Sequence, residues 1–313
     1  MSGFTFHLPG SVLRNRAEMK PYYIKLTEGL VTRGYAVALV PHDRETLLDE
    51  VAASQSFHIV DHGKQRHPRV LNTGIAYVYP FWNLDPWGIR ALSSIAGKHF
   101  DAHLVDMDAA LPFANRLRKR WVAPRRSRYD QPARVADIPA DCIAVFLQSE
   151  GHRDVMETCF LDLRQMVKAL LARTDPRPIV IKPHPRDCDP TTRRFLNRIA
   201  GRDARIRIAD ANIHDILVQA AVCVTINSAV GVEAMMQGVA VVLCGQTDFH
   251  HAAVTVKTAA GMDAAILQAI ATDWQHDAFL YWYFGINCLN AGKETLVDDF
   301  LERVAATGYS LTP

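Results

Sequence analysis

The sequence predicts an α/β protein built from two Rossmann-like, doubly wound halves. Short apolar runs closed by turn residues alternate with helix-patterned segments in both halves. In the C-terminal half, polar residues gather directly after those runs, at Gln148-Ser149-Glu150, Lys182-Pro183-His184-Pro185 and Asn227-Ser228. Open α/β sheets bind ligands outside the carboxyl ends of their strands, so this placement suits a binding fold. At 313 residues the chain is long enough for two domains with a substantial core.

In chain order, Phe4 to Leu8 reads as a first strand, Arg14 to Thr32 as a helix made irregular by Pro21, and Tyr35 to Val40 as a second strand. Arg44 to Ala53 is a helix and Ser56 to Val60 a strand. Gly74 to Tyr79 is strand-like and leads into Pro80-Phe81-Trp82-Asn83-Leu84-Asp85-Pro86-Trp87, which reads as a rigid aromatic loop. Asp85 there is either a catalytic carboxylate among apolar rings or an Asp-Pro turn residue. Ser94 to Ala102 and Met107 to Arg120 are expected helices. The basic run at 118–128 reads as a solvated linker, with anionic acceptors or lipid headgroups as its other use. Residues 131–141 form the expected connection between domains.

Cys142 to Leu147 opens the second half as a buried strand, followed by a long helix over His152 to Arg173. Further strands are expected at 179–181, 205–208, 222–226 and 239–243, with helices at 191–200, 213–221, after Ser228 and at 263–271. The aromatic stretch at 277–290 reads as a core helix, and Leu296 to Ala306 as a last helix. The expected domains are 1–135, 136–272 for the nucleotide side, and helices over 273–313 that pack back on the first domain.

Composition narrows the function. Hydrophobic residues at 49% and charged residues at 22% describe a soluble globular protein. A net charge of +2 argues against a general nucleic-acid partner. The six cysteines are scattered without a CxxC pair, so buried free thiols are expected at Cys142, Cys223 and Cys244. No basic region followed by an apolar stretch opens the chain, and no run is long enough to span a bilayer. A cytoplasmic location is expected, with a peripheral contact at the inner membrane compatible with it.

The strand-end clusters suggest chemistry. Prolines stiffen Lys182-Pro183-His184-Pro185, so the lysine is aimed at a phosphate or carboxylate and the histidine at a phosphate or leaving group. Asn227-Ser228 precedes a helix and serves as N-cap, phosphate binder or both. Glu233 complements the helix dipole or accepts from ribose hydroxyls, and Gly231 permits close approach of a ligand. Gln148 and Glu150 lie beside them; Glu150 fits a sugar-binding, acid-base or capping role. No DxD or His-rich metal site is evident, so no metal or other cofactor is expected.

Taken together, QSE at 148–150, KPHP at 182–185 and NSAVGVEAMMQGVAVVLCG at 227–245 resemble the bacterial capsule polysaccharide biosynthesis proteins, the β-Kdo transferases of the KpsC and KpsS type. The resemblance covers residues 142–250 and implies a GT-B fold, with the two domains facing a central cleft. It also implies retaining, metal-independent transfer of β-Kdo from CMP-Kdo to a lipid-linked saccharide, with no nucleic acid involved. By the same resemblance Lys182 and His184 contact the donor's phosphate or carboxylate, Ser228 holds phosphate and Glu233 the ribose, and Gln148 and Glu150 shape the donor site; Pro185, Asn227 and Gly231 complete the expected donor-binding set. Asp85, in the nearest match to the family's N-terminal motif, is the implied nucleophile. A sialyltransferase-like inverting enzyme and a non-catalytic component of a capsule-assembly complex are the alternatives.

Overall fold

Two six-stranded sheets organise the chain, seen in a computed structural model that describes residues 3–148, 158–186 and 189–312. The chain runs through β1 (Gly3–Leu8), α1 (Gly10–Arg14), α2 (Pro21–Thr32), β2 (Ala36–Pro41), α3 (Leu47–Ala53), β3 (Phe57–Asp61), β4 (Val70–Ile75) and β5 (Phe81–Asp85). It continues through α4 (Met107–Leu117), β6 (Cys142–Phe146), α5 (Leu163–Leu171), β7 (Ile179–Lys182), α6 (Pro190–Ala200), β8 (Ile206–Ile208), α7 (Ile213–Leu217) and β9 (Ala220–Thr225). Then follow α8 (Val230–Met236), β10 (Ala240–Leu243), β11 (Val254–Thr255), α9 (Met262–Ala271), α10 (His276–Leu280), β12 (Leu289–Asn290) and α11 (Leu296–Ala305).

The chain divides into two compact units, Met1–Lys98 with Tyr283–Pro313, and His99–Trp282. In the first, the strand order is β12-β5-β4-β3-β1-β2. Strands β1 to β4 are parallel, whereas β5 runs antiparallel to β4, and β12 antiparallel to β5. Phe4, Phe6, Leu26, Phe57 and Trp82 pack with Phe300 of α11 in its core. Gly29 lets α2 approach α11 closely, since a Cβ there would lie 2.5 Å from the Val297 side chain.

In the second unit the order is β11-β10-β9-β6-β7-β8, all parallel. Counted from β6, this is the 3-2-1-4-5-6 order of dinucleotide-binding sheets. Strands such as β6 and β7 are buried over their whole length, which is why their sequences are continuous apolar runs rather than alternating ones.

The structure corrects several expectations. The expected helix at 14–32 is broken, and Pro21 stands in its first turn, where its missing N–H costs nothing. Residues 81–85 form a strand rather than a loop; both faces are buried, so no alternation marked it. Ser94 to Ala102 holds short 3₁₀ turns in place of a helix. Helix α5 starts at Leu163, where Asp162 and Gln165 form a reciprocal capping box, and residues 152–157 of the expected helix lie outside the described residues. The expected core helix at 277–290 ends as helix at Leu280, winds through a π-helical turn at Tyr281–Ile286 and finishes as β12. The units divide at 98/99 and 282/283 rather than near 135 and 272. Residues of α4 and α10 pack within one unit, and Arg118 pairs with Asp277 there.

Candidate functional site

In the second sheet, β6 lies between β7 and β9, and the connections leave it in opposite directions. The crevice outside the carboxyl ends of β6 and β9 is the point where such sheets bind ligands. Gln148 and Asn227 stand two residues past these ends and clamp them together. The Gln148 amide donates to Asn227 Oδ1 at 2.7 Å, and the Asn227 backbone N–H donates to Gln148 Oε1 at 2.9 Å. Ser228 opens the turn into α8, its Oγ accepting from the Val230 N–H at 3.3 Å. Glu150 lies outside the described residues.

Strand β7 contributes the second group. Lys182 is its last residue, 6% exposed, and its ammonium donates to the Ala211 carbonyl at 2.6 Å. Burial lowers its pKa and the nearby Asp210 only partly restores it. The lysine therefore ties β7 to the loop after β8. His184 Nδ1 accepts from the Arg186 N–H at 3.2 Å, so the neutral ring carries its proton on Nε2. Pro185 beside it is exposed. The His184 ring meets Tyr129 edge-on at 5.0 Å, and the Arg186 and Arg128 guanidinium groups lie 4.7 and 5.7 Å from the same tyrosine ring. Sequence reasoning missed this cationic-aromatic cluster because Tyr129 follows a run read as linker.

That run is anchored rather than merely solvated. Arg125 grips Asp215 through Nε at 3.0 Å and Nη2 at 2.7 Å. His214 Nδ1 accepts from Gln237 at 3.1 Å, so Nε2–H donates to the Arg126 carbonyl at 2.7 Å. Held this way, Ser127 and Arg128 lie beside Glu233, which is 1% exposed. Burial pushes the Glu233 carboxyl up to about 8, and the Ser127 hydroxyl and the Arg128 charge offset this only in part. Neither carboxyl oxygen has a partner at hydrogen-bonding geometry. Gly231 does not open toward a ligand on its side-chain face: a Cβ there would lie 2.9 Å from the Phe249 ring. Its smallness is used for core packing.

The first unit contains Asp85 and a group not anticipated from sequence. Asp85 is buried at the end of β5. Its Oδ1 accepts from the N–H groups of Trp87 at 2.8 Å, Gly88 at 3.2 Å and Ser94 at 2.9 Å, while Oδ2 accepts the Ser94 hydroxyl at 2.6 Å. This geometry is that of a turn organiser, the other reading the sequence offered for Asp85, and as a nucleophile it would first have to release these donors. Asp61, at the end of β3, instead pairs with chemistry-bearing side chains. It accepts the Tyr23 hydroxyl on Oδ1 and the His62 Nδ1–H on Oδ2 at 2.9 Å. Burial works against its charge, but His62, Tyr23 and Lys20 outweigh it and leave the pKa lowered. His62 therefore presents a basic Nε2 from a ring with 31% of its side chain exposed. Its φ of 51° is unusual for a side chain of this kind and is held by the structure around it. A carboxylate one residue before a histidine at a strand end was the available signal, but the expected strand stopped at Val60.

Cys142, Cys223 and Cys244 are free and buried. Among the described residues, no group of three or more His, Cys, Asp and Glu side chains is placed to hold a metal. Among the same residues, no helix is long and apolar enough to cross a membrane.

Residues 118–272, about half of the chain, match the family described as capsule polysaccharide biosynthesis protein, which bears out the resemblance drawn from the motifs. The β-Kdo 2,7 transferase of Thermosulfurimonas dismutans KpsC superposes with a TM-score of 0.58 at 12% identity, covering 99% of this chain and 100% of that one. The β-Kdo 2,4 transferase of the same KpsC superposes with a TM-score of 0.54 at 14% identity, covering 89% of each chain. At these identities the likeness shows the fold, which is the expected two-sheet GT-B type. No curated protein matches the chain.

Proposed function

On the premise that residues 118–272 are those of a capsule polysaccharide biosynthesis protein, we propose that the chain is a glycosyltransferase. It moves a CMP-activated sugar, Kdo in our reading, onto a saccharide or glycolipid acceptor in surface polysaccharide assembly. One observation carries the reading: the motif residues Lys182 and His184, Gln148, and Asn227 and Ser228 stand at or just past the carboxyl ends of β7, β6 and β9, which are neighbours in one parallel sheet. The donor's nucleotide lies over that edge. His184 donates from Nε2 to the phosphate as the bond to the sugar breaks. Asn227 and Ser228 hold the phosphate, Gln148 and Glu150 shape the site, and Lys182 supplies positive potential from beneath it. Glu233 reaches the ribose only if residues 127–128 shift, since they lie beside its buried carboxyl. No metal enters this scheme.

Two stereochemical courses follow from the first unit. Retention needs a carboxylate nucleophile, and Asp85 fills that role only by giving up its four donor groups. The Asp61–His62 pair favours the second course, inversion, in which His62 takes the acceptor proton in one displacement.

The test begins with a thermal-shift titration of CMP, UDP, GDP and ADP without added metal. Selective stabilisation by CMP is expected through mass-action linkage. Stabilisation by UDP alone would replace the CMP reading, and no shift with any nucleotide would point to a non-catalytic assembly component. With CMP-Kdo and an acceptor in hand, the anomeric configuration of the product read by NMR separates the two courses. Asp85→Asn should abolish turnover in the retaining course and spare most of it in the inverting one.

A further inference from the structure

Helices α5 and α6 carry rows of like charge that the strand-end chemistry does not use. On α5, Arg164 and Lys168 are four residues apart; on α6 and the turn after it, Arg194, Arg198 and Arg202 repeat the same spacing. All are exposed. Four residues of helix advance about 6 Å, so Arg164 with Lys168, and Arg194 with Arg198, each stack along one line, and Arg202 follows in the turn after α6. Arg164, Lys168, Arg198 and Arg202 line one groove of about 410 Å³, and Arg164, Arg194 and Arg198 line a second hollow of about 170 Å³. Phe195 lines both and is only 6% exposed, with the Arg164 guanidinium 5.1 Å from its ring.

These cations are treated differently from the other arginines of the same unit. Arg173 pairs with Asp175 and Asp263 at 2.9 Å each, Arg177 with Asp175 at 2.6 Å, and Arg205 with Asp203 at 2.7 Å. Among the described residues, no carboxylate forms an ion pair with Arg164, Lys168, Arg194, Arg198 or Arg202. Asp203, the carboxylate in the groove lining, is already held by Arg205. Like charges at this spacing destabilise helices, so the rows stand at a cost to the fold that an external anion would relieve.

We propose that the α5–α6 groove binds an anionic oligosaccharide, with its carboxylates engaged by the arginine forks. Arginine presents paired N–H groups that match a carboxylate, whereas a lysine presents a point charge. A bilayer surface fits less well, because none of the exposed large hydrophobic residues of the chain lies on α5 or α6 to enter lipid. Single-stranded nucleic acid fits less well too, because Phe195 is buried under Arg164 and offers no open ring for base stacking. The groove shares no residue with the strand-end cluster, so the inference does not depend on the transfer reaction.

Fluorescence anisotropy of an end-labelled hexagalacturonate with the full chain tests it, at low and high salt. Salt-sensitive binding is expected, with no binding of a neutral cellohexaose. Arg198→Glu combined with Arg202→Glu should weaken binding about tenfold or more, and Arg198→Gln with Arg202→Gln should weaken it in the same direction by less. A matched reversal elsewhere, Arg14→Glu with Arg16→Glu, should leave it unchanged. Thermal unfolding confirms that each variant is folded. Undiminished binding by the folded Arg198/Arg202 variants would overturn the proposal. So would equal loss in the matched reversal, or a wild-type protein that binds phosphatidylglycerol vesicles or a DNA oligonucleotide but not hexagalacturonate.

Discussion

The two units each hold a histidine just past a parallel strand, and the partners of the two rings set opposite proton positions. His62 gives its Nδ1–H to Asp61, which leaves Nε2 as a base. His184 receives an N–H on Nδ1, which leaves Nε2–H as a donor. The buried carboxylates differ in the same way. Asp61 is surrounded by donors and stays ionised despite burial, whereas Glu233 has none at bonding geometry and is held protonated. Burial alone thus says little about a carboxylate; the donors around it decide.

The largest test of this contrast is catalytic. His62→Ala and Asp61→Asn should each reduce CMP-Kdo turnover by about 10²–10⁴-fold while leaving the CMP-induced thermal shift in place. His184→Ala should reduce both. If His62→Ala retains full turnover, the base assignment in the first unit fails.

Next in size is an acid-stability effect confined to the first unit. His7 Nε2 and His58 Nδ1 lie 2.8 Å apart on β1 and β3, and burial lowers both pKa values from 6.5 to about 4. Between these limits the unfolded chain binds more protons than the folded one. Stability should therefore fall as pH drops from about 6.5 toward 4, by on the order of 3 kcal/mol in urea titrations. His58→Leu should flatten that limb.

Glu233 gives the opposite slope. Its folded pKa of about 8 exceeds its ordinary 4.5, so the folded state binds the extra proton and stability falls as pH rises through that window. Glu233→Gln should stabilise the protein by on the order of 2 kcal/mol at pH 8, with the gain vanishing near pH 4.5. A gain that does not vary with pH would mean that packing, not ionisation, sets the effect. Smallest is Gln148→Leu, which should cost about 1 kcal/mol by opening the clamp to Asn227 and should shrink the CMP-induced shift.

The sequence made the second sheet more legible than the first. Strands β6, β7 and β10 are buried along their length and β9 from Val222 on, and polar residues stand out at the ends of β6, β7 and β9. The first sheet gave weaker signals where antiparallel strands close it. Strand β5 includes Asn83 and Asp85 between prolines, and β12 sits inside an aromatic stretch that looks helical. Site residues were legible where chemistry follows a strand directly, as at Gln148, His184 and Asn227. Partners brought from afar were not: His184 and Arg186 on Tyr129, or the Tyr23 hydroxyl on Asp61, depend on contacts that no local pattern encodes. Asp85 shows the converse, a conspicuous residue whose carboxylate accepts its hydrogen bonds from local turn N–H groups and a serine.

Strand β12 and helix α11 belong to the first unit although the whole of the second unit precedes them in the chain. During synthesis, residues 3–98 therefore leave the ribosome with the outer edge of β5 unpaired and the face of α2 that receives Val297 uncovered. The second unit, continuous in sequence, has all of its strands before those gaps are filled. Assembly of the first unit thus waits for β12 and α11 to be made. A message cut short after residue 282 would yield one unit with its full sheet and one that lacks a strand and a helix.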